Sequence, residues 1–177
     1  ENSNFLLHTE GGYFILTLYE KRVHAEDLPF FLGLMEHLAE GGFTSPRPIS
    51  AKDGRNLKEV AGRPSAIIEF LDGRSVRRIT PQHCALLGQT LAQLHTIGSN
   101  FKLQRVNTLS VSNWRPLYTS CRDGGHENMS ADLLSEIETE IGYLEDHWPT
   151  TLPSGVIHAD LFPDNIFFLN DKVSGVI

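Results

Sequence analysis

The order of apolar and polar positions divides the chain into a strand-rich first part and a helix-rich remainder. Phe5-Leu6-Leu7 and Tyr13-Phe14-Ile15-Leu16-Thr17-Leu18-Tyr19 are β-prone runs, and Gly11-Gly12 supplies a turn between them. This predicts an opening hairpin. Leu28, Phe31, Leu32, Met35 and Leu38 then recur at helical spacing. Asp27 stands where an N-cap belongs, Pro29 falls in the first turn, and Gly41-Gly42 ends the helix. Pro46 and Pro48 keep the next segment extended, Asp53-Gly54 turns it, and residues 57–60 read as a short strand. Ser65-Ala66-Ile67-Ile68-Glu69-Phe70 is a strong apolar strand that stops at the turn Leu71-Asp72-Gly73.

From there the period changes. Thr80-Pro81 opens a helix that Leu86, Leu87, Leu91, Leu94 and His95 carry to Gly98. Residues 99–125 are polar and irregular, with a short helix expected near Trp114. Ser130 caps another helix, with Leu133, Leu134, Ile137, Ile141 and Leu144 on its buried face, and Pro149 and Pro153 close it. The last stretch reads as a strand at Gly155-Val156-Ile157, a polar loop, the run Ile166-Phe167-Phe168-Leu169, a turn at Asn170-Asp171 and a final strand over residues 173–177. The expectation is an α+β protein with a connector near residues 69–73, and with a ligand cleft between its two parts.

Composition narrows the function classes. A chain of 177 residues with 40% apolar and 21% charged positions can fill a core. A formal charge of -7 argues against nucleic acid as a partner. It says nothing against a triphosphate, which a local pocket and a metal can hold. No apolar run approaches the ~20 residues of a membrane span, and residues 1–4 carry no signal-peptide pattern. Cys84 and Cys121 fit no metal or redox spacing. Cys84 is expected as a buried thiol and Cys121 as a loop thiol, in a reducing cytoplasm. The eight histidines, at 8, 24, 37, 83, 95, 126, 147 and 158, show no zinc-ligand spacing.

The segment with the most chemical content is Val156-Ile157-His158-Ala159-Asp160-Leu161-Phe162-Pro163-Asp164-Asn165-Ile166-Phe167-Phe168. Apolar runs on both sides anchor a short polar loop. Phosphoryl transfer to an alcohol needs a carboxylate to align the hydroxyl and oxygen ligands for Mg²⁺, and little covalent help beyond that. Asp160 suits the first task and Asn165 the second. Either residue alone reads equally well as turn chemistry. The ordered pattern between apolar flanks separates the two readings. Asp164 reads as a turn residue. His158 can serve as a base, or can bond the loop backbone and orient Asp160.

The stretch 158–165 resembles the Brenner-type phosphotransferase motif shared by aminoglycoside phosphotransferases, choline kinases and homoserine kinases. Residues 1–7, 15–22, 27–35, 91–95 and 109–114 are similar to the homoserine-kinase branch of that superfamily, so the likeness spans essentially the whole chain. It implies a protein kinase-like bilobal fold, with a small antiparallel-sheet N-lobe and hinge over residues 1–72. A partial, mainly helical C-lobe would fill residues 73–177, with the catalytic loop at 156–169 and the C-terminal part truncated. It implies transfer of the γ-phosphate of ATP, with Mg²⁺, to the side-chain hydroxyl of L-homoserine. Asp160 would be the catalytic base and Asn165 the metal ligand. Ser3, Asn4 and Thr17 would lie near the phosphates, and Glu69, Phe70 and Leu71 would form the adenine hinge. Glu69 reads equally as a solvated strand end.

Two departures qualify the likeness. Thr17 occupies the place of the kinase lysine, and Lys21 is about 13 Å further along an extended strand. Lys21 and Arg22 therefore read as solvated strand-end charges. The chain also stops at Ile177, where the superfamily continues into an Asp that completes the metal site. A fragment of a longer protein, inactive by itself, is the expectation. Acceptors such as choline, an aminoglycoside or methylthioribose remain open, as does a catalytically silent nucleotide-binding form. Nothing in the sequence specifies an oligomeric state.

Overall fold

The computed structural model describes residues 2–20, 24–124 and 129–177. Lys21 and Arg22 lie outside the described residues. Two compact units emerge, one formed by residues 1–104 with 155–177 and the other by residues 105–154.

The first unit is built on a four-stranded antiparallel sheet. Strands β1 (Ser3–Thr9) and β2 (Gly12–Leu18) form the expected hairpin, with Asn4 opposite Thr17. The Thr9 hydroxyl accepts from Gly11 N–H and donates to Gly12 O, which closes the turn. β3 (Lys58–Val60) and β4 (Arg63–Glu69) complete the order β1-β2-β4-β3. Ala61 (φ 52°) and Gly62 (φ 72°) are both left-handed, the geometry of a two-residue type I′ hairpin turn. The proline-stiffened segment borders the other end of β4, where Ile49 N donates to Ile67 O and Glu69 N to Arg47 O.

Helix α1 (Leu28–Glu40) buries Leu28, Leu32 and Leu38, the face its periodicity marks. Asp27 does not cap it through its side chain. A 3₁₀ turn over Ala25–Asp27 runs directly into the helix, so Asp27 has helical dihedrals instead of the extended ones of an N-cap. The C-terminus closes in a Schellman motif: Phe43 N donates to Leu38 O and Gly42 N to Ala39 O, with Gly42 at φ 81°. Helix α2 (Pro81–Gly98) begins with a capping box in which Thr80 and His83 bond each other's backbone N–H. Leu94 and Gly98 are its buried positions, while His95 and Cys84 are exposed. Cys84 is therefore not the buried thiol its apolar surroundings suggested. It sits on the outward face of the first turn of α2.

Strands β5 (Ile166–Leu169) and β6 (Lys172–Val176) make a second hairpin, turned by Asn170 (φ 51°) and Asp171 (φ 59°). Gly155-Val156-Ile157 is not a strand. Its backbone finds no ladder partner among the described residues; instead Val156 packs against the core and against Gly98. That core joins Leu38 and Phe43 to Leu94 of α2 and Val176 of β6.

The second unit holds α3 (Trp114–Asp123) and α4 (Ala131–His147). The Ser130 side chain accepts from Leu133 N–H, as its N-cap position requires. Replacing Ser130 by Ala should lower stability by ~1 kcal/mol, which chemical denaturation would register. Ile141 and Tyr118 are buried, whereas Leu133 is exposed: position 133 lies on the first turn, off the stripe set by Leu134, Ile137 and Ile141. Cys121 lies within α3 and not in a loop.

Arg115 grips Glu145 with both carboxylate oxygens at 2.6–2.9 Å. That hydrogen bonding, reinforced by charge, holds the Glu145 carboxyl below its ordinary value of 4.5. The pair therefore stabilises the folded form above the unfolded glutamate pKa and is lost as pH falls through the lower folded value. The difference in thermal midpoint between wild type and Arg115→Met should shrink as pH is lowered below about 4. A difference independent of pH would show that the pair contributes nothing.

Candidate active site

The loop between Ile157 and Ile166 is held at both ends by apolar side chains. Val156 and Leu161 pack against the core, and Ile166 is 4% exposed. Between these anchors the polar residues face outward, with Asp160 exposed and His158 and Asn165 half-buried. Ala159 adopts φ 67°, a left-handed conformation that costs an alanine about 1–2 kcal/mol. The surrounding hydrogen bonds must hold it there.

Those bonds are specific. Phe162 N donates to Asp160 O at 3.0 Å, and Asn165 N to Phe162 O at 3.0 Å, around the short 3₁₀ turn Pro163–Asn165. The Asn165 amide donates to Asp160 O at 2.6 Å and, more weakly, to Asp160 Oδ2 at 3.3 Å. Asp160 N donates to His158 Nδ1 at 3.3 Å. With Nδ1 an acceptor, the proton of the neutral ring sits on Nε2, which donates to Ile177 O at 3.0 Å. Ile177 N in turn donates to Asn165 O at 3.0 Å. The residue after β6 thus clamps the loop through both of its backbone groups.

The outcome is a carboxylate and a carboxamide on one rigid turn. The Asn165 amide nitrogen points inward to Asp160, which leaves its Oδ1 as a hard oxygen ligand. Asp160 retains Oδ1 as an acceptor. Oxygen donors of this kind suit Mg²⁺. Among the described residues no cluster of three His, Cys, Asp or Glu could hold a metal unaided.

The residues expected near the phosphates form a second group, on the sheet. The buried Thr17 hydroxyl donates to Asn4 Oδ1 at 2.8 Å, across the register that pairs them. Ser3 Oγ donates to Glu20 Oε1 at 2.9 Å, and Arg63 reaches the same oxygen at 2.6 Å. Glu20 and Arg63 escape notice in the sequence because the chain places them 43 positions apart. Glu69 accepts from Arg47 N at 3.2 Å, so its side chain fastens the strand edge. Phe70 and Leu71 follow it. Leu71 lies against Gly175, where an added Cβ would come within 2.7 Å of Leu71 Cδ1. Through Gly175 the hinge region touches β6, the strand whose end clamps the loop. Among the described residues no hydrogen bond joins the sheet group to the loop group.

The comparisons with known proteins agree on one family. The model of the phosphotransferase enzyme family matches residues 1–177. A homoserine kinase of Paramagnetospirillum magneticum is 57% identical over 176 residues, which is 99% of this chain and 54% of that protein. One of Xanthobacter autotrophicus is 55% identical over the whole chain and 55% of that protein. The chain thus spans about half the length of the curated relatives it matches. Among solved structures, an amicoumacin kinase in complex with AMP-PNP and Ca²⁺ superposes with a TM-score of 0.77 at 16% identity, over 100% of this chain and 55% of that one. An aminoglycoside phosphotransferase from Alicyclobacillus acidocaldarius gives 0.66 at 14% identity, over 100% and 60%. The kinase-like fold expected from the sequence is the one observed.

Proposed function

From the premise that the chain belongs to the phosphotransferase enzyme family, we propose that its full-length form phosphorylates the side-chain hydroxyl of L-homoserine with ATP, yielding O-phospho-L-homoserine and ADP. The observation that carries the choice of acceptor is the 55–57% identity to homoserine kinases along 99–100% of the chain. The reaction type is supported independently by the loop, which presents Asp160 beside Asn165.

In this reading Asp160 aligns the homoserine hydroxyl and takes its proton. The hydroxyl oxygen forms its bond to the γ-phosphorus as the bond from that phosphorus to the β–γ bridging oxygen breaks, and ADP departs. Asn165 Oδ1 holds Mg²⁺, which when bound neutralises phosphate charge. Ser3, Asn4 and Thr17 lie towards the phosphates. Glu69, Phe70 and Leu71 form the adenine hinge; Arg47 O already takes the Glu69 N–H, which leaves the Glu69 carbonyl and the backbone of Phe70 and Leu71 for that role. Residues 1–72 then act as the nucleotide lobe and residues 73–177 as part of the acceptor lobe. No helix among the described residues is long and apolar enough to cross a membrane.

His158 is a positioning residue. Its two ring nitrogens tie Asp160 N–H to Ile177 O, so His158→Ala should lower kcat roughly tenfold or more and leave the KM for ATP nearly unchanged. An equal rise in KM with kcat intact would remove that role. The deciding assay offers the full-length protein Mg-ATP with L-homoserine, choline, an aminoglycoside or methylthioribose in turn. Turnover confined to another acceptor would overturn the homoserine assignment. Thr17 in place of a lysine favours a second reading, a nucleotide-binding protein without catalysis. Mg-ATP binding with no turnover of any acceptor would establish it.

A further inference from the structure

The segment that follows the hinge carries a concentration of charge that the phosphotransfer reading leaves unused. Arg74, Arg77 and Arg78 stand within five positions of each other in a chain of net charge -7. All three are exposed, and no acidic side chain among the described residues pairs with them. Elsewhere in the first unit Arg55 and Arg63 each meet a carboxylate. Three unpaired guanidinium groups so close in the chain repel one another, and Asp171 is the one carboxylate that lines the same cleft.

They border two adjoining clefts. One, of about 550 Å³, is lined by Arg74, Val76, His83, Phe168 and Asp171 among others. The second, of about 620 Å³, is lined by residues 74–78 and shares Arg74 and Val76 with the first. Both are half-open to solvent. Their floor is partly apolar, with the His83 ring 4.8 Å from that of Phe168. His83 Nδ1 accepts the Thr80 N–H, so Nε2 carries the proton of the neutral ring and adds a donor. Arg77 and Arg78 stand three and two positions before Thr80, the N-cap of α2, an 18-residue helix whose dipole favours anions at that end. Asp171 is the one carboxylate among the lining residues, and the three guanidiniums outnumber it.

We propose that this post-hinge cleft binds a phosphorylated small molecule, at a site that shares no residue with the catalytic loop or with the Ser3, Asn4 and Thr17 group. Guanidinium forks match phosphate oxygens in pairs, and three of them answer the multiple charge of a phosphate group better than the single charge of a carboxylate. The apolar floor of Val76 and Phe168 accommodates the rest of the molecule. None of the lining residues belongs to the loop at 158–165 or to the Ser3, Asn4 and Thr17 group, so the inference stands apart from the kinase reading.

Inorganic pyrophosphate is the probe. Full-length protein is treated with phenylglyoxal, with and without pyrophosphate, at ionic strength held constant with NaCl, and labelled arginines are mapped by mass spectrometry. Labelling of Arg74, Arg77 and Arg78 should fall at least fivefold, and equal labelling overturns the site. Calorimetric titration should show pyrophosphate affinity at least tenfold weaker in the double variant Arg77→Gln, Arg78→Gln. Unchanged affinity in that variant would place the anion elsewhere and also overturn the site. Should the variant not fold, the wild-type protection pattern decides alone. Homoserine turnover is measured separately, so failure of either proposal is read without the other.

Discussion

Asp160→Ala in the full-length enzyme should reduce kcat by ~10²–10⁴-fold, the range for a positioned acid-base group, with little change in the KM for ATP. Asp160 is exposed and spends its side chain on one weak contact, the 3.3 Å bond from Asn165. Its removal therefore leaves the fold in place. The main anchor of Asn165, at 2.6 Å, goes to the Asp160 backbone carbonyl and survives the substitution. Steady-state kinetics with homoserine and ATP, alongside an unchanged thermal midpoint, would confirm that the loss lies in the chemical step. A rate within threefold of wild type would remove Asp160 from the mechanism. Asp160→Asn keeps the shape and removes the base, so it should fall as far as the alanine variant.

Gly73→Ala should destabilise the protein by at least ~2 kcal/mol, combining overpacking with an unfavourable backbone. Gly73 sits at φ 132°, where an L side chain is strained in any surroundings. An added Cβ would also lie 2.3 Å from Ser174 Oγ, 3.1 Å from Phe167 Cβ and 3.2 Å from Phe168 O. Ser174 Oγ is already buried without a hydrogen-bond partner among the described residues. The crowding comes from the exchange that joins hinge to hairpin: Arg74 N donates to Phe168 O at 3.2 Å, and Phe168 N to Arg74 O at 2.9 Å. Gly12→Ala provides the control, since Gly12 has φ 121° with nothing within 4 Å of an added Cβ. The difference between the two variants in urea denaturation isolates the steric part. Equal losses would show that the contact with β5 and β6 carries no strain.

Much of the local structure was legible in the order of residues. Thr80-Pro81 and Ser130 announced helix starts because a capping hydroxyl followed by a helical period is a short-range signal. Gly11-Gly12 and Asn170-Asp171 announced hairpins because these residues tolerate the dihedrals that tight turns demand. The misreadings share one cause. Gly155-Val156-Ile157 has strand composition, yet a strand requires a neighbour with free backbone groups, and Val156 met the side chains of a core instead. Leu133 and Cys84 have apolar character but face outward, because orientation on a helix depends on what packs beside it.

For the candidate site, residue identity and spacing alone marked Asp160 and Asn165 as a pair for phosphoryl chemistry, since five positions on a short loop place a carboxylate and an amide within reach of each other. The rest arises from contacts between residues distant in the chain. Ile177 bonds His158 across 19 positions, and Arg63 reaches Glu20 across 43. Whether Asn165 turns its N–H groups inward and leaves an oxygen outward depends on the carbonyl that Asp160 offers, and that carbonyl is aimed by a left-handed Ala159. Short-range sterics and capping chemistry act within a few residues and so can be read from sequence. Side-chain direction and hydrogen-bond pairing depend on which surfaces meet in three dimensions, and only the folded chain decides them.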